Sequence, residues 1–202
     1  MDKFFEKIRK PLSYIALIVL IALSLIVGIG QCVDVGTLYL PPFTFAIVCG
    51  VCLFLYIIGL ARGKDFPIIV ALLVILFLFL LNPFLQAQAF EVIGARFRDN
   101  AALGLAEIIN IFMILGGIAV LVLYLLEAIF GIKLSLVINI LLLALVGLSA
   151  LYLLLCLIGV IISLAAGNGA SWYDLFSPLM PVAGYLFVAV NFGILESKTK
   201  NI

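Results

Sequence analysis

Histidine is absent from the 202-residue chain, and charge is scarce: Asp, Glu, Lys and Arg make up 10% of it, against 67% apolar residues. Without an imidazole, acid–base and metal-binding chemistry built on histidine is excluded, that of histidine-dependent membrane proteases included. Eleven Lys and Arg against ten Asp and Glu leave a formal net charge of +1, so the basic footprint of a nucleic-acid binder is missing too. The sequence holds no G-x-x-x-x-G-K-[ST] run and no G-x-G-x-x-G run, which leaves nucleotide binding by this chain without support. Alternation of strand type is lacking as well, against a β-barrel. What is present is apolar sequence with mean hydropathy +1.45. No water-soluble partition of core and surface accommodates that composition, and the chain reads as an integral membrane protein.

The charges are so sparse that the gaps between them delimit membrane segments. Residues 11–33, 35–61, 66–90, 108–126, 134–173 and 175–195 are free of Asp, Glu, Lys and Arg. Each interval is long enough for the roughly 20 residues that cross about 30 Å of hydrocarbon. The expectation is an all-α, polytopic helical bundle in a single transmembrane domain over 1–202, with six spans at about 12–30, 43–61, 67–81, 108–130, 134–166 and 179–194. Span five is long enough for a compressed hairpin, but only Gly147, Ser149 and Gly159 interrupt it, with no proline or polar cluster to turn the chain inside lipid. One long tilted helix is expected there. With the amino terminus inside, six spans place Lys3, Lys7, Arg9, Lys10, Arg62, Lys64, Lys133, Lys198 and Lys200 in the cytoplasm and only Arg96 and Arg98 outside. Cytoplasmic loops carry the excess of Lys and Arg, so both termini are expected in the cytoplasm. The chain also lacks an N-x-[ST] sequon, which is compatible with the expected location, a bacterial inner membrane.

The outer connections 31–42, 82–107 and 167–178 hold most of the sequence that is neither lipid-facing nor terminal, and function collects on such segments. The candidate outer-face site for a ligand or partner is Asp34, Glu91, Arg96, Arg98, Trp172 and Asp174. Arg96 and Arg98 are its focus, because they break the positive-inside rule and have Glu91 and Asp99 near in sequence. Phe90 to Gly104 reads as an amphipathic surface helix, a collar more than a site. Trp172 and Tyr173 also fit an interfacial aromatic belt.

Cys49-Gly-Val-Cys52 is the one pattern with a catalytic namesake, the dithiol pair of thiol oxidoreductases. No Lys or Arg lies near it in sequence to stabilise a thiolate. The competing reading is a packing face: Ala46, Cys49 and Gly50 follow at i, i+3 and i+4, the small-residue spacing that brings membrane helices close. Asn139 lies about one and a half turns from the inner end of span five and Asn191 about one turn from that of span six, and both are expected as polar glue between helices.

In span count, size and expected orientation the chain is similar to the substrate-binding subunits of energy-coupling-factor vitamin transporters. The likeness is architectural, because the Ala-x-x-x-Ala pattern of their first helix is missing: Ala16 and Ala22 are six apart. No family membership follows. The function expected is that of a non-enzymatic membrane subunit that docks onto a larger assembly, with the lipid bilayer and other membrane protein subunits as partners. No cofactor, metal or nucleic acid is expected. The alternative is a small-solute permease, or the substrate-binding part of a transporter, with an outward-facing site. A membrane thiol–quinone oxidoreductase is the distant third.

Overall fold

The computed structural model describes residues 2–38, 40–84, 100–167 and 171–199. Among them are six α-helices, one 3-10 turn and no strand: α1 (Asp2–Val35), α2 (Pro41–Arg62), α3 (Asp65–Phe84), α4 (Ala101–Phe130), α5 (Ser135–Ala165), the turn Trp172–Leu175, and α6 (Leu179–Thr199). Five stretches are long and apolar enough to cross a membrane: Arg9–Asp34, Pro41–Arg62, Ala101–Glu127, Ser135–Ala165 and Trp172–Asn191. In α3 the apolar stretch Asp65–Leu78 is shorter. The protein is therefore an all-helical membrane protein. In lipid every backbone N–H and C=O needs an internal partner, and a sequence of Leu, Ile, Val, Ala and Phe satisfies that need only as helix. The fifth span is one unbroken helix, as its lack of internal turn residues dictates.

The short connections are closed by glycine. After α2 the chain turns through Gly63 at φ +60°, and the N–H of Lys64 reaches the Gly59 carbonyl at 2.9 Å. After α4, Gly131 at φ +66° donates to the Glu127 carbonyl at 3.0 Å. Both positions lie in the left-handed region that favours glycine at a helix C-terminus.

Because the surroundings of the bundle are also apolar, inside and outside differ in side-chain size more than in hydropathy. On α1 the buried side carries Ser13, Ala16, Leu17, Leu20, Ser24 and Val27, while Ile15, Ile18, Leu25 and Ile29 face out. The two serine hydroxyls donate to carbonyls one turn back, Ser13 Oγ to Arg9 O at 2.7 Å and Ser24 Oγ to Leu20 O at 2.6 Å. On α2 the buried row is Ala46, Cys49, Cys52, Tyr56 and Gly59. Gly50 lies at the margin of that face, and a Cβ there would meet open space. The close approach on α2 is made instead at Gly59, against Ile68 of α3. Small residues let helix backbones approach, and packing rather than water exclusion holds helices together in lipid.

Helix α6 packs against α1, α3 and α5, and α4 pairs most extensively with α5. At the centre, Tyr56 makes edge contacts with Tyr14 (centroids 5.4 Å apart, 85°) and with Phe187 of α6 (5.8 Å, 70°). The α4–α5 pair is keyed by two glycines, Gly116 against Leu145 and Gly159 against Leu103. Helix α4 begins at Ala101, earlier than the apolar run at 108, because Asn100 caps it: its Oδ1 accepts from Ala102 N at 3.0 Å. The expected surface helix over 90–104 is thereby corrected at its end. Ala101 to Gly104 are the first turn of α4, and residues 90–99 lie outside the described residues.

Candidate functional site

At one end of the bundle, the last turn of α1 meets the turn Trp172–Leu175. The local sequence Ser171-Trp-Tyr-Asp174 forms a capping box: Ser171 N–H donates to Asp174 Oδ2 at 2.9 Å, and Asp174 N–H donates to the Ser171 side-chain oxygen as well as to the Ser171 carbonyl at 3.0 Å. That reciprocal pair fixes the turn without help from regular helix. The Ser171 hydroxyl, whose oxygen accepts from Asp174 N–H, donates its own proton across to α1, to Asp34 Oδ2 at 2.5 Å. A glycine makes the approach possible. Gly30, one turn before Asp34, packs directly on the Tyr173 side chain, and a Cβ on Gly30 would lie 2.6 and 2.8 Å from Tyr173 Cγ and Cβ.

Two carboxylates thus converge on one serine, with the Tyr173 side chain interacting with Ser171 and Asp34. Asp34 is exposed and Asp174 half-buried. Trp172 stands beside them at 52% exposure, propped edge-on by Tyr173 (5.9 Å, 82°) and Phe176 (6.1 Å, 78°). Such edge contacts contribute about 0.5–1.5 kcal/mol each and restrain the indole. Chemically, the arrangement offers an oriented indole and an acidic rim, which suits recognition of a partner surface.

Of the six residues expected at this face, the structure brings together Asp34, Trp172 and Asp174. Glu91, Arg96 and Arg98 lie outside the described residues, as does Asp99. Ser171 and Gly30, which hold the turn to α1, were not singled out from sequence, and Tyr173 was read there only as an interfacial aromatic. The Ser-x-x-Asp spacing was the available signal for the turn, whereas nothing local in the sequence links Gly30 to Tyr173.

The two asparagines expected as helix glue part company. Asn191 is fully buried, and its Nδ2 donates to Ser13 Oγ of α1 at 2.8 Å. Asn139 is exposed on the outward side of α5. The Cys49 and Cys52 side chains are buried at 0% and 1% exposure within the apolar core. Glu127, near the other end of α4 from Asn100, is buried at 9% exposure. A crevice between α3, α4 and α6 is lined by Leu72, Leu76, Val120, Leu121, Tyr124 and Val188 and is apolar throughout its lining apart from the Tyr124 hydroxyl.

Compared with known protein families, curated proteins and solved structures, the chain shows no match.

Proposed function

We propose that the chain is a non-enzymatic subunit that docks onto a larger membrane assembly, crossing the membrane six times with both termini in the cytoplasm. Asn139 carries this reading. It lies on the outward side of α5 between Leu136 and Leu143, which are 72% and 74% exposed, and none of the hydrogen bonds among the described residues involves its side chain. A carboxamide turned toward hydrocarbon without a partner is costly, whereas a neighbouring helix bearing a polar group satisfies both its donor and its acceptor. The helices around it bury least within the chain: 17% of the span in α4 and 22% in α5, against 44% in α1. An outward face that broad, with one amide in it, suits a helix from another subunit. Trp172 and the Asp34–Asp174 rim are a second exposed feature, at the other end of the bundle from Asn139.

The topology rests on the placement of Lys and Arg. Arg9 and Lys10 near the start of the first span, Arg62 and Lys64 between α2 and α3, and Lys133 between α4 and α5 share one end of an antiparallel bundle, and that end is cytoplasmic by the positive-inside rule. Helix α3 supplies the sixth crossing, since its 20 residues extend about 30 Å. A thiol label introduced after Lys200 should react only from the cytoplasmic side of sealed vesicles, and reaction from the outer side would contradict the topology. The burial of Cys49 and Cys52 favours packing over thiol–quinone exchange, because a dithiol enclosed in apolar surroundings meets neither a base nor a redox partner.

Docking is tested by purification from the native membrane in a mild detergent. The chain is expected to co-elute with other subunits in fixed ratio, and Asn139→Leu to elute without them while keeping its helical content. Elution of the unaltered chain by itself would remove the reading.

A further inference from the structure

At the opposite end of the bundle from Asp34, the helices α1, α2 and α6 bring together Arg9, Ser13, Tyr56 and Asn191. Ser13 is the hub: its Oγ donates to the Arg9 carbonyl at 2.7 Å and accepts from Asn191 Nδ2 at 2.8 Å. The same Nδ2 donates to the Phe187 carbonyl at 2.8 Å. Both neighbours need a donor from the amide, so its orientation is determined and Oδ1 is the atom left over. The Tyr56 hydroxyl lies next to the Ser13 hydroxyl, outside hydrogen-bonding geometry, and within electrostatic reach of Arg9. Ser13, Tyr56 and Asn191 are all 0% exposed.

Three buried polar atoms in this cluster have no hydrogen-bond partner: Arg9 Nε, the Tyr56 hydroxyl oxygen and Asn191 Oδ1. Arg9 also makes no ion pair among the described residues. A buried polar group is ordinarily satisfied, and three left over on three helices around one serine call for an explanation. Their chemistry is specific. Arg9 and Tyr56 offer two donors, one of them cationic, and Asn191 offers one acceptor. A water-sized partner could match the count but leaves the guanidinium charge unanswered. A carboxylate answers the charge but brings no donor for Asn191. A phosphate does both, because a monoester or free phosphate carries P–O–H, and a phospholipid headgroup carries a hydroxyl or ammonium beside its phosphate. The guanidinium edge formed by Nε and one terminal nitrogen is the usual fork for such an anion. Arg9 begins the first span, at the depth where lipid phosphates lie.

We propose that Arg9, Tyr56 and Asn191 form a site for a phosphate-type oxyanion, with Arg9 holding it side-on, Tyr56 donating a second hydrogen bond and Asn191 Oδ1 accepting from the donor beside the anion. Entry requires the half-buried Arg9 side chain, near the start of the first span, to swing outward. The site goes beyond the docking reading and is independent of it, since none of its residues lies on the exposed face of α5.

The test is thermal unfolding of the full chain, delipidated in a nonionic detergent at constant ionic strength. It is titrated separately with dioleoylphosphatidylglycerol and with inorganic phosphate. The unaltered chain is expected to gain thermal stability in at least one titration. Arg9→Gln and Tyr56→Phe are each expected to move the titration midpoint by on the order of tenfold, the effect of one charge-assisted or buried hydrogen bond. The exposed neighbour Lys10→Gln should move it by about twofold or less. A response to lipid alone assigns the site to headgroups, and a response to both assigns it to the oxyanion in general. Absence of any response, or a loss in Lys10→Gln equal to that in Arg9→Gln, overturns the proposal. If Arg9→Gln fails to fold, Tyr56→Phe decides, because it keeps the ring and its packing against Tyr14 and Phe187.

Discussion

Gly30→Ala is expected to release the turn Trp172–Leu175 from α1 and to expose the indole of Trp172. The new Cβ would lie 2.6 and 2.8 Å from Tyr173 Cγ and Cβ, which are at the root of that side chain, so no rotation of the ring tip removes the clash. The turn itself has to move. Overpacking of this kind costs about 1–3 kcal/mol, and the displaced turn also loses the Ser171–Asp34 hydrogen bond, worth about 1 kcal/mol. Trp172 is the sole tryptophan, so its fluorescence reports the event without interference. A red-shifted emission with greater quenching by iodide is expected, while helical content by circular dichroism stays unchanged because α1 and α6 keep their own packing. Unchanged emission and quenching would mean that the turn is not seated on Gly30.

The second large effect is expected at Asn100. Its side chain acts twice: Oδ1 caps α4 through Ala102 N, and Nδ2 donates to the Gly159 carbonyl of α5 at 2.9 Å. Loss of a cap costs about 1 kcal/mol, and loss of a buried hydrogen bond about another 1 kcal/mol. Asn100→Ala should therefore destabilise the α4–α5 pair by about 2 kcal/mol, measured as the shift in equilibrium unfolding by dodecyl sulfate. Asn100→Asp separates the two contributions. A carboxylate still caps, but it cannot donate to Gly159 and faces a carbonyl oxygen instead, so the aspartate variant should be destabilised at least as much as alanine. A loss below about 0.5 kcal/mol in the alanine variant would show that the tie between the helices is not made.

How much of this was legible in the sequence depended on which property carried the information. Charge-free intervals gave the helices nearly whole, because in lipid a long apolar run has only one backbone solution. Their ends were less visible. The start of α4 at Ala101 depends on a single capping asparagine within a polar stretch, and α1 continues to Asp2, well before its apolar run. Burial within the bundle was hardest to read, since Leu and Ile occupy the inward and outward sides alike. Cys49 and Gly50 have the same small-residue spacing relative to Ala46, yet only Cys49 is in the core, and the close approach is at Gly59. The same blindness separates Asn191, tied to Ser13, from Asn139, turned outward. Of the outer face, Asp34, Trp172 and Asp174 were found as charge and aromatic left over after the spans were assigned. Their convergence needed Ser171 and Gly30, which are far apart in sequence and brought together only by the packing of α1 against the turn.

Docking of the chain into a larger assembly requires the outward side of α5 to meet protein where Asn139 stands. The most direct measurement is photo-cross-linking in the native membrane from a benzophenone side chain placed at position 140, beside Asn139 on the exposed side, with position 112 on α4 as a second exposed site for comparison. If α5 docks there, position 140 gives a protein adduct of discrete mass that is lost when Asn139 is also changed to Leu. Adducts to lipid alone from position 140, unaffected by the state of Asn139, would contradict it.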